Sequence, residues 1–153
     1  MKTYSFIITL LMSGLFAEGI NPETGWSWNQ SMQQMFYYMT LEIDGESAEG
    51  VDYGTTYCED NAGACDVVGA FIERDGQEIC VGWQYANPVS LTEVPVMGDD
   101  GSSLTAGYML GGETPSLKVY DSSNGSILDI TPGAELNGFV NNTFNTISGT
   151  STA

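Results

Sequence analysis

Residues 36–45 read Phe36-Tyr37-Tyr38-Met39-Thr40-Leu41-Glu42-Ile43-Asp44-Gly45. Tyr37, Met39, Leu41 and Ile43 share one face of this stretch, and beyond Tyr38 the residues Thr40, Glu42 and Asp44 share the other. A period of two marks a half-buried β-strand, and Asp44-Gly45 ends it with a turn. The same pattern recurs along the chain. Further strands are expected at 66–72, 78–85, 89–96, 105–110, 116–120, 126–130 and 138–147, each bounded by a turn signal. Arg74-Asp75-Gly76-Gln77 joins two of them as a hairpin, because Asp-Gly supplies the positive φ that tight hairpin turns need. Asp121-Ser122-Ser123-Asn124-Gly125 does the same further on. No stretch past the leader sustains a 3.6-residue apolar period, although 30–38 suits a short helix as well as a strand. Short strands without intervening helices imply an all-β fold, an antiparallel β-sandwich of the jelly-roll or immunoglobulin-like kind. Residues 36–147 are expected to form it, with 18–35 as an extended N-terminal arm and the small, polar 148–153 as a flexible tail.

The chain has 153 residues, within the range of one domain. It carries 20 Asp and Glu against 3 Lys and Arg, with no His, for a net charge of −17. No basic surface forms from such a composition, which excludes nucleic-acid binding and attraction to an anionic membrane. Hydrophobic residues make up 42% and charged ones only 15%, so the chain has enough apolar material for a core despite its net charge. The lack of His removes the usual general base and the Ser/His and Cys/His nucleophile pairs. A non-enzymatic protein is expected.

Residues 1–17, MKTYSFIITLLMSGLFA, combine one Lys, an apolar run from Phe6 to Phe16 and a small residue at Ala17. This is the layout of a secretory signal peptide, and the run is too short for an ordinary membrane-spanning helix. The other reading is a retained segment buried against a second subunit. A secreted protein, extracellular or at the cell surface and free of the membrane once mature, fits the cysteines too. Cys58 and Cys65 bracket the turn-rich Glu59-Asp60-Asn61-Ala62-Gly63-Ala64, so they are expected to form a disulfide. Cys80, inside the apolar Ile79-Cys80-Val81-Gly82-Trp83, reads as a small hydrophobe.

Carboxylates gather around that turn: Asp44, Glu46, Glu49, Asp52, Glu59, Asp60 and Asp66. Calcium takes six to eight oxygen ligands, so Asp44, Asp52, Asp60 and Asp66 are candidate ligands, set against a merely solvated acidic rim. No cofactor is otherwise required. Asp99-Asp100-Gly101-Ser102 reads as a turn. Trp26, Trp28, Tyr37, Tyr38, Trp83 and Tyr85 are candidates for a sugar-stacking platform, with core or interface roles the more ordinary use of such residues. Asn29, Asn124 and Asn141 each begin an N-glycosylation pattern, a modification that needs an exporting host.

Three blocks carry a resemblance: Gly25-Trp26-Ser27-Trp28-Asn29 with Met35-Phe36-Tyr37-Tyr38-Met39; Asp66-Val67-Val68-Gly69-Ala70-Phe71 with Cys80-Val81-Gly82-Trp83; and Leu117-Lys118-Val119-Tyr120-Asp121. Together they resemble secreted bacterial β-sandwich modules with a D-x-x-x-A-F, hairpin, C-x-G and K-x-Y-D pattern. The chain reads as one such module behind its own leader, expected to act alone or to polymerise. It is similar in layout to single-domain subunits of extracellular bacterial filaments, which implies that an N-terminal strand completes the neighbour's sandwich. The arm suits that role. It carries Ile20, Trp26, Trp28, Met32 and Met35 among polar residues, and the two-residue spacing of Trp26 and Trp28 puts both on one face of an extended strand. An arm filling a neighbour's open edge gives a head-to-tail contact that does not close, the geometry of a helical filament. An arm packed on its own sandwich as an edge strand is the equal alternative. The expected function is a structural subunit of an extracellular fibre or surface assembly, a homo-oligomer joined by β-strand exchange. The runner-up is a secreted carbohydrate-binding module with a glycan partner.

Overall fold

The computed structural model describes residues 19–153; the leader and Glu18 lie outside the described residues. Two packed sheets of four strands each form the molecule, as the alternation implies. The first is built around β1 (Gln34–Ile43), whose burial alternates so that Met35, Tyr37, Met39, Leu41 and Ile43 all point inward. The Asp44-Gly45 turn, with both residues at positive φ, folds β2 (Glu46–Ser47) back on the end of β1. On the same side β5 (Thr92–Met97) pairs antiparallel, from Gln34↔Met97 to Met39↔Thr92. On the other side lies β8 (Thr143–Thr152).

The second sheet has the order β4-β3-β6-β7, all antiparallel. Its strands are β3 (Val67–Arg74), β4 (Gln77–Tyr85), β6 (Ser116–Asp121) and β7 (Ser126–Asp129). Both expected hairpins are present, β3 to β4 through Asp75-Gly76 and β6 to β7 through residues 122–125. The main core lies between the sheets, where Val68 and Ala70 of β3, Val81 of β4 and Val119 of β6 meet the inward side chains of β1 and Val94 and Val96 of β5. Fully burying such a side chain contributes about 1.5–3 kcal/mol. A smaller cluster of Cys58, Cys65, Val67 and Tyr85 sits on the outer face of the second sheet. Val67 reaches it because it alternates with the inward Val68.

Four expectations need correction. The β1–β8 ladder is parallel, whereas every other ladder between strands is antiparallel. Residues 148–153 are not a frayed tail. Thr150, Ser151 and Thr152 pair with Thr40, Leu41 and Glu42, and Thr152 exchanges backbone bonds with Thr131. Small hydroxyl residues suit a pleated strand, and β1 would otherwise show an unpaired edge. Residues 105–110 are a loop. Turn bonds from Thr105 to Ser102 and from Tyr108 to Thr105, then Gly107 at φ 86°, prevent extension, while Tyr108 and Met109 still plug the core. The turn-rich stretch after Thr56 contains one helical turn, α1 (Tyr57–Asp60), which presents Cys58 inward.

Two glycines mark where backbone must approach closely. A Cβ on Gly69 would stand 2.8 Å from the Trp26 ring and 2.7 Å from that of Phe71. One on Gly82 would stand 1.8 Å from the Pro95 carbonyl, where β4 crosses β5. Backbone cannot yield as a flexible side chain does. Gly82→Ala should therefore destabilise the fold by about 1–3 kcal/mol in chemical denaturation. Gly111→Ala, whose Cβ meets nothing within 4 Å, is the control and should stay within about 0.5 kcal/mol of wild type.

Candidate functional site

The arm begins with a turn dictated by Asn21. Its Oδ1 accepts bonds from the Glu23 amide (3.2 Å), the Thr24 amide (2.9 Å) and the Thr24 hydroxyl (2.9 Å), and Gly25 at φ 71° closes the loop. From there the chain crosses the outer face of the second sheet. Trp26 stands edge-on to Phe71, with centroids 5.0 Å apart and ring planes at 80°, in the notch that Gly69 leaves open. Trp83 Nε1 donates to the Gly19 carbonyl at 2.7 Å. The Gly63 amide, inside the Cys58–Cys65 loop, donates to the Glu23 carboxylate at 2.7 Å. The expected Cys58–Cys65 disulfide is present, and Trp26 packs against the cluster that it forms with Val67 and Tyr85.

Past Trp28, which packs on the main core, the anchors change. The Asn29 amide donates to the Tyr108 hydroxyl (2.8 Å) and its side chain to the Leu104 carbonyl (2.9 Å). Ser31 Oγ donates to the Gly98 carbonyl (2.6 Å), and the Met32 amide to Asp100 (2.9 Å). Between residues 19 and 33 the arm forms no strand, and its bonds to the domain are isolated rather than laddered. In the single chain it thus lies on its own domain, but not as the edge strand that sequence suggested. Trp26 and Trp28 pack into different clusters instead of sharing a face. Met35 is no arm residue; it is fully buried in β1, while Ile20 (64%) and Met32 (86%) stand exposed.

Of the four candidate calcium ligands, Asp44 and Asp66 line one pocket with Glu46, Glu49 and Asp121, which neither Asp52 nor Asp60 lines. Asp44 sits in the β1–β2 turn, Asp52 accepts from Asn87 and the Tyr53 amide, and Asp60 accepts from Thr56 at the end of α1. Asp66 is buried, accepting from the Glu49 amide (2.6 Å) and from the amide and hydroxyl of Ser122 (both 2.8 Å). Burial pushes its carboxyl up, against the pull of the Ser122 and Glu49 bonds. Among the described residues no three His, Cys, Asp or Glu side chains are grouped to hold a metal ion. Of the glycosylation candidates, Asn124 and Asn141 are exposed, with Asn124 bonded inside the β6–β7 turn and Asn141 accepting from the Gln34 amide; Asn29 is half-buried under the bonds given above.

The sugar platform is also dispersed. Tyr37 and Tyr85 are buried, each phenol pushed up to about 12, foremost by burial. Trp26 and Trp83 are committed to the arm seat. Only Tyr38 lies on the outer face of the first sheet, where its companions are Phe36 and Phe144, which the sequence reading passed over. Phe36 and Phe144 stack with centroids 5.6 Å apart and planes at 11°, and Tyr38 tilts towards Phe144 at 6.2 Å. The signal was present in the β1 parity, since an inward Tyr37 forces Phe36 and Tyr38 outward. Cys80 is half-buried and its thiol is pushed up to about 11 by burial, so it is a poor nucleophile at neutral pH.

The Asp100 carboxyl is held down at about 2, first by the Met32 amide and then by the Thr105 hydroxyl. A folded-state value below the unfolded one, about 4, gives a contribution present above that value and lost as pH falls through the folded one. In an acid titration followed by NMR the Met32 amide should shift with a midpoint near 2, and Asp100→Asn should abolish that transition. A midpoint near 4, the ordinary carboxyl value, would show that this arm anchor is absent in solution.

No protein-family model, curated protein or solved structure matches the chain, so the likeness to bacterial sandwich modules rests on the three sequence blocks and a functional reading rests on this geometry.

Proposed function

We propose that the protein is a non-enzymatic structural subunit of an extracellular fibre or surface assembly, joined head-to-tail by exchange of its N-terminal arm. The observation that supports this reading is the way the arm is held: ring-in-notch packing at Trp26 and isolated hydrogen bonds, with no ladder into either sheet. A segment so attached leaves without tearing a sheet, and a neighbour's copy offers the same contacts. The acceptor is the groove over the second sheet, bounded by Phe71, Trp83 and the disulfide loop. The disulfide suits an oxidising compartment outside the cell. No helix among the described residues is long and apolar enough to cross a membrane.

The carbohydrate-binding alternative draws on the exposed Phe36, Tyr38 and Phe144. Its difficulty is chemical. A sugar site needs polar groups placed to bond the hydroxyls, whereas Phe36 and Phe144 are stacked on one another and carry none.

Negative-stain microscopy of concentrated protein should show ordered filaments. Deleting residues 19–28 should leave a soluble monomer with an unchanged far-ultraviolet β-sheet spectrum and no filaments. Trp26→Ala, which removes about 2 kcal/mol of aromatic packing from the closed and the exchanged arm alike, should loosen the arm in the monomer yet leave the concentration needed for assembly within about threefold of wild type. Filaments of unaltered repeat from the deleted protein would exclude arm exchange, and a monomer at every concentration that retains polysaccharide would favour the alternative.

A further inference from the structure

The arm leaves the outer face of the first sheet untouched. Along β1 that face presents Phe36, Tyr38, Thr40 and Glu42, and across the ladders it adds Phe144 from β8 and Glu93, the register partner of Tyr38, from β5. Phe144 is 69% exposed although it stacks on Phe36. Beside them the Tyr53 hydroxyl accepts a bond from the Glu93 amide at 2.7 Å, so another phenol borders the patch. Burial and the Glu93 charge push the Tyr38 phenol up, in keeping with a carboxylate close to the aromatic cluster.

The charge around this face selects its occupant. Among the described residues the side-chain cations are Arg74 and Lys118, both on the second sheet and both committed: Arg74 to Glu113 at 2.5 Å, and Lys118 to Glu78 at 2.7 Å. The aromatic face therefore has carboxylates and no cation of its own. A second copy of this chain would bring more negative charge to it, at a net −17 each. A Lys or Arg side chain gains twice here, from the exposed ring faces and from Glu93 and Glu42. Side chains two apart on one strand face are about 6.8 Å apart, so an extended segment laid along β1 matches the Phe36 and Tyr38 spacing residue for residue.

We propose that the outer face of the β8-β1-β5 sheet is a docking surface for an extended cationic polypeptide segment whose sheet-facing residues, two apart in sequence, are by turns apolar and Lys or Arg. The apolar side chains cover Phe36 and Phe144, and the cations meet Glu93, Glu42 and the Tyr38 ring. This surface is separate from the arm groove, so its occupation does not depend on how the subunits join.

Fluorescence anisotropy with a labelled eight-residue Lys/Val peptide, Lys-Ser-Val-Ser-Lys-Ser-Val-Ser, which puts Lys and Val on one face, tests it with the full chain in buffer of moderate salt. The same peptide with each Val replaced by Ser (Lys/Ser), and with each Lys replaced by Glu, serve as comparisons. The Lys/Val peptide should bind tightest, and Phe36→Ser/Phe144→Ser should weaken it about tenfold while leaving the net charge unchanged. Phe144→Ser alone, at a site too exposed to threaten the fold, should show part of that loss. Glu93→Gln should weaken binding and flatten its salt dependence. Equal binding by the double variant, or a Lys/Ser peptide binding as tightly, would reduce the effect to diffuse charge and overturn the proposal. So would a wild-type dimer in sedimentation that Phe144→Ser abolishes, because the occupant would then be a second copy.

Discussion

Everything in the first sheet hangs on one constraint, the parity of β1. It is the central strand, with β5 and β2 on one side and β8 on the other, so its register fixes three ladders at once. A slip of one residue would turn Met35, Tyr37, Met39, Leu41 and Ile43 to solvent and carry Thr40 and Glu42 into the core. Burying a carboxylate and exposing five core side chains is prohibitive next to a net stability of about 5–15 kcal/mol. The buried Tyr37 hydroxyl donates to the Asn137 carbonyl, which ties the same register to the segment leading into β8. Parity also sets the opposite face, so the aromatic surface at Phe36 and Tyr38 is the unavoidable complement of the core.

The second sheet depends on a different device. Asp66, at the entry to β3, receives donors from Glu49 and Ser122 and joins the stretch after β2 to the β6–β7 turn. Its backbone does the same work, with Asp66 N–H donating to Glu49 and Ala86 N–H donating to Asp66. A buried carboxylate is costly unless its lone pairs are filled, and here three donors fill them. The disulfide, whose Cys65 directly precedes Asp66, fixes the loop whose Gly63 amide holds the arm. A mostly acidic chain has few ion pairs at its disposal, and its loops are instead pinned by carboxylates accepting backbone N–H groups, as Asp99, Asp100 and Asp121 show.

What could be read from the sequence was local. Alternation located β1 and its inward face, Asp-Gly dipeptides located the hairpins, and the short turn-rich spacing of Cys58 and Cys65 gave their bond. What could not be read depended on where distant segments meet. The parallel pairing of β8 leaves no trace in its own pattern, because Ser and Thr residues between 148 and 152 look the same frayed or paired. Residues 105–110 carry strand-like side chains, yet Gly107 and two turn bonds bend them into a plug. Nearness in sequence also placed Asp44, Asp52, Asp60 and Asp66 together, whereas the fold brings Asp44 and Asp66 to one pocket and bonds Asp52 to Asn87 and Asp60 to Thr56. Asp100, which holds the arm at Met32, was read only as part of a turn, since nothing in the sequence ties residue 100 to residue 32.

The arm's anchors divide at Trp28. Residues 19–26 are held by the second sheet and the disulfide loop, while Asn29, Ser31 and Met32 are held by the loop between Gly98 and Tyr108. In the proposed assembly only the first group has to change partners, because the second keeps the base of the arm fixed and aims it. The exchanged contacts are the same in both states, so their free energies cancel to first order and the balance falls to geometry and concentration. A short tether holds the arm's own groove at an effective concentration on the order of millimolar. Dilute subunits would then remain closed, and exchange would be favoured where they are crowded to comparable concentrations, as at a growing fibre end or a packed cell surface.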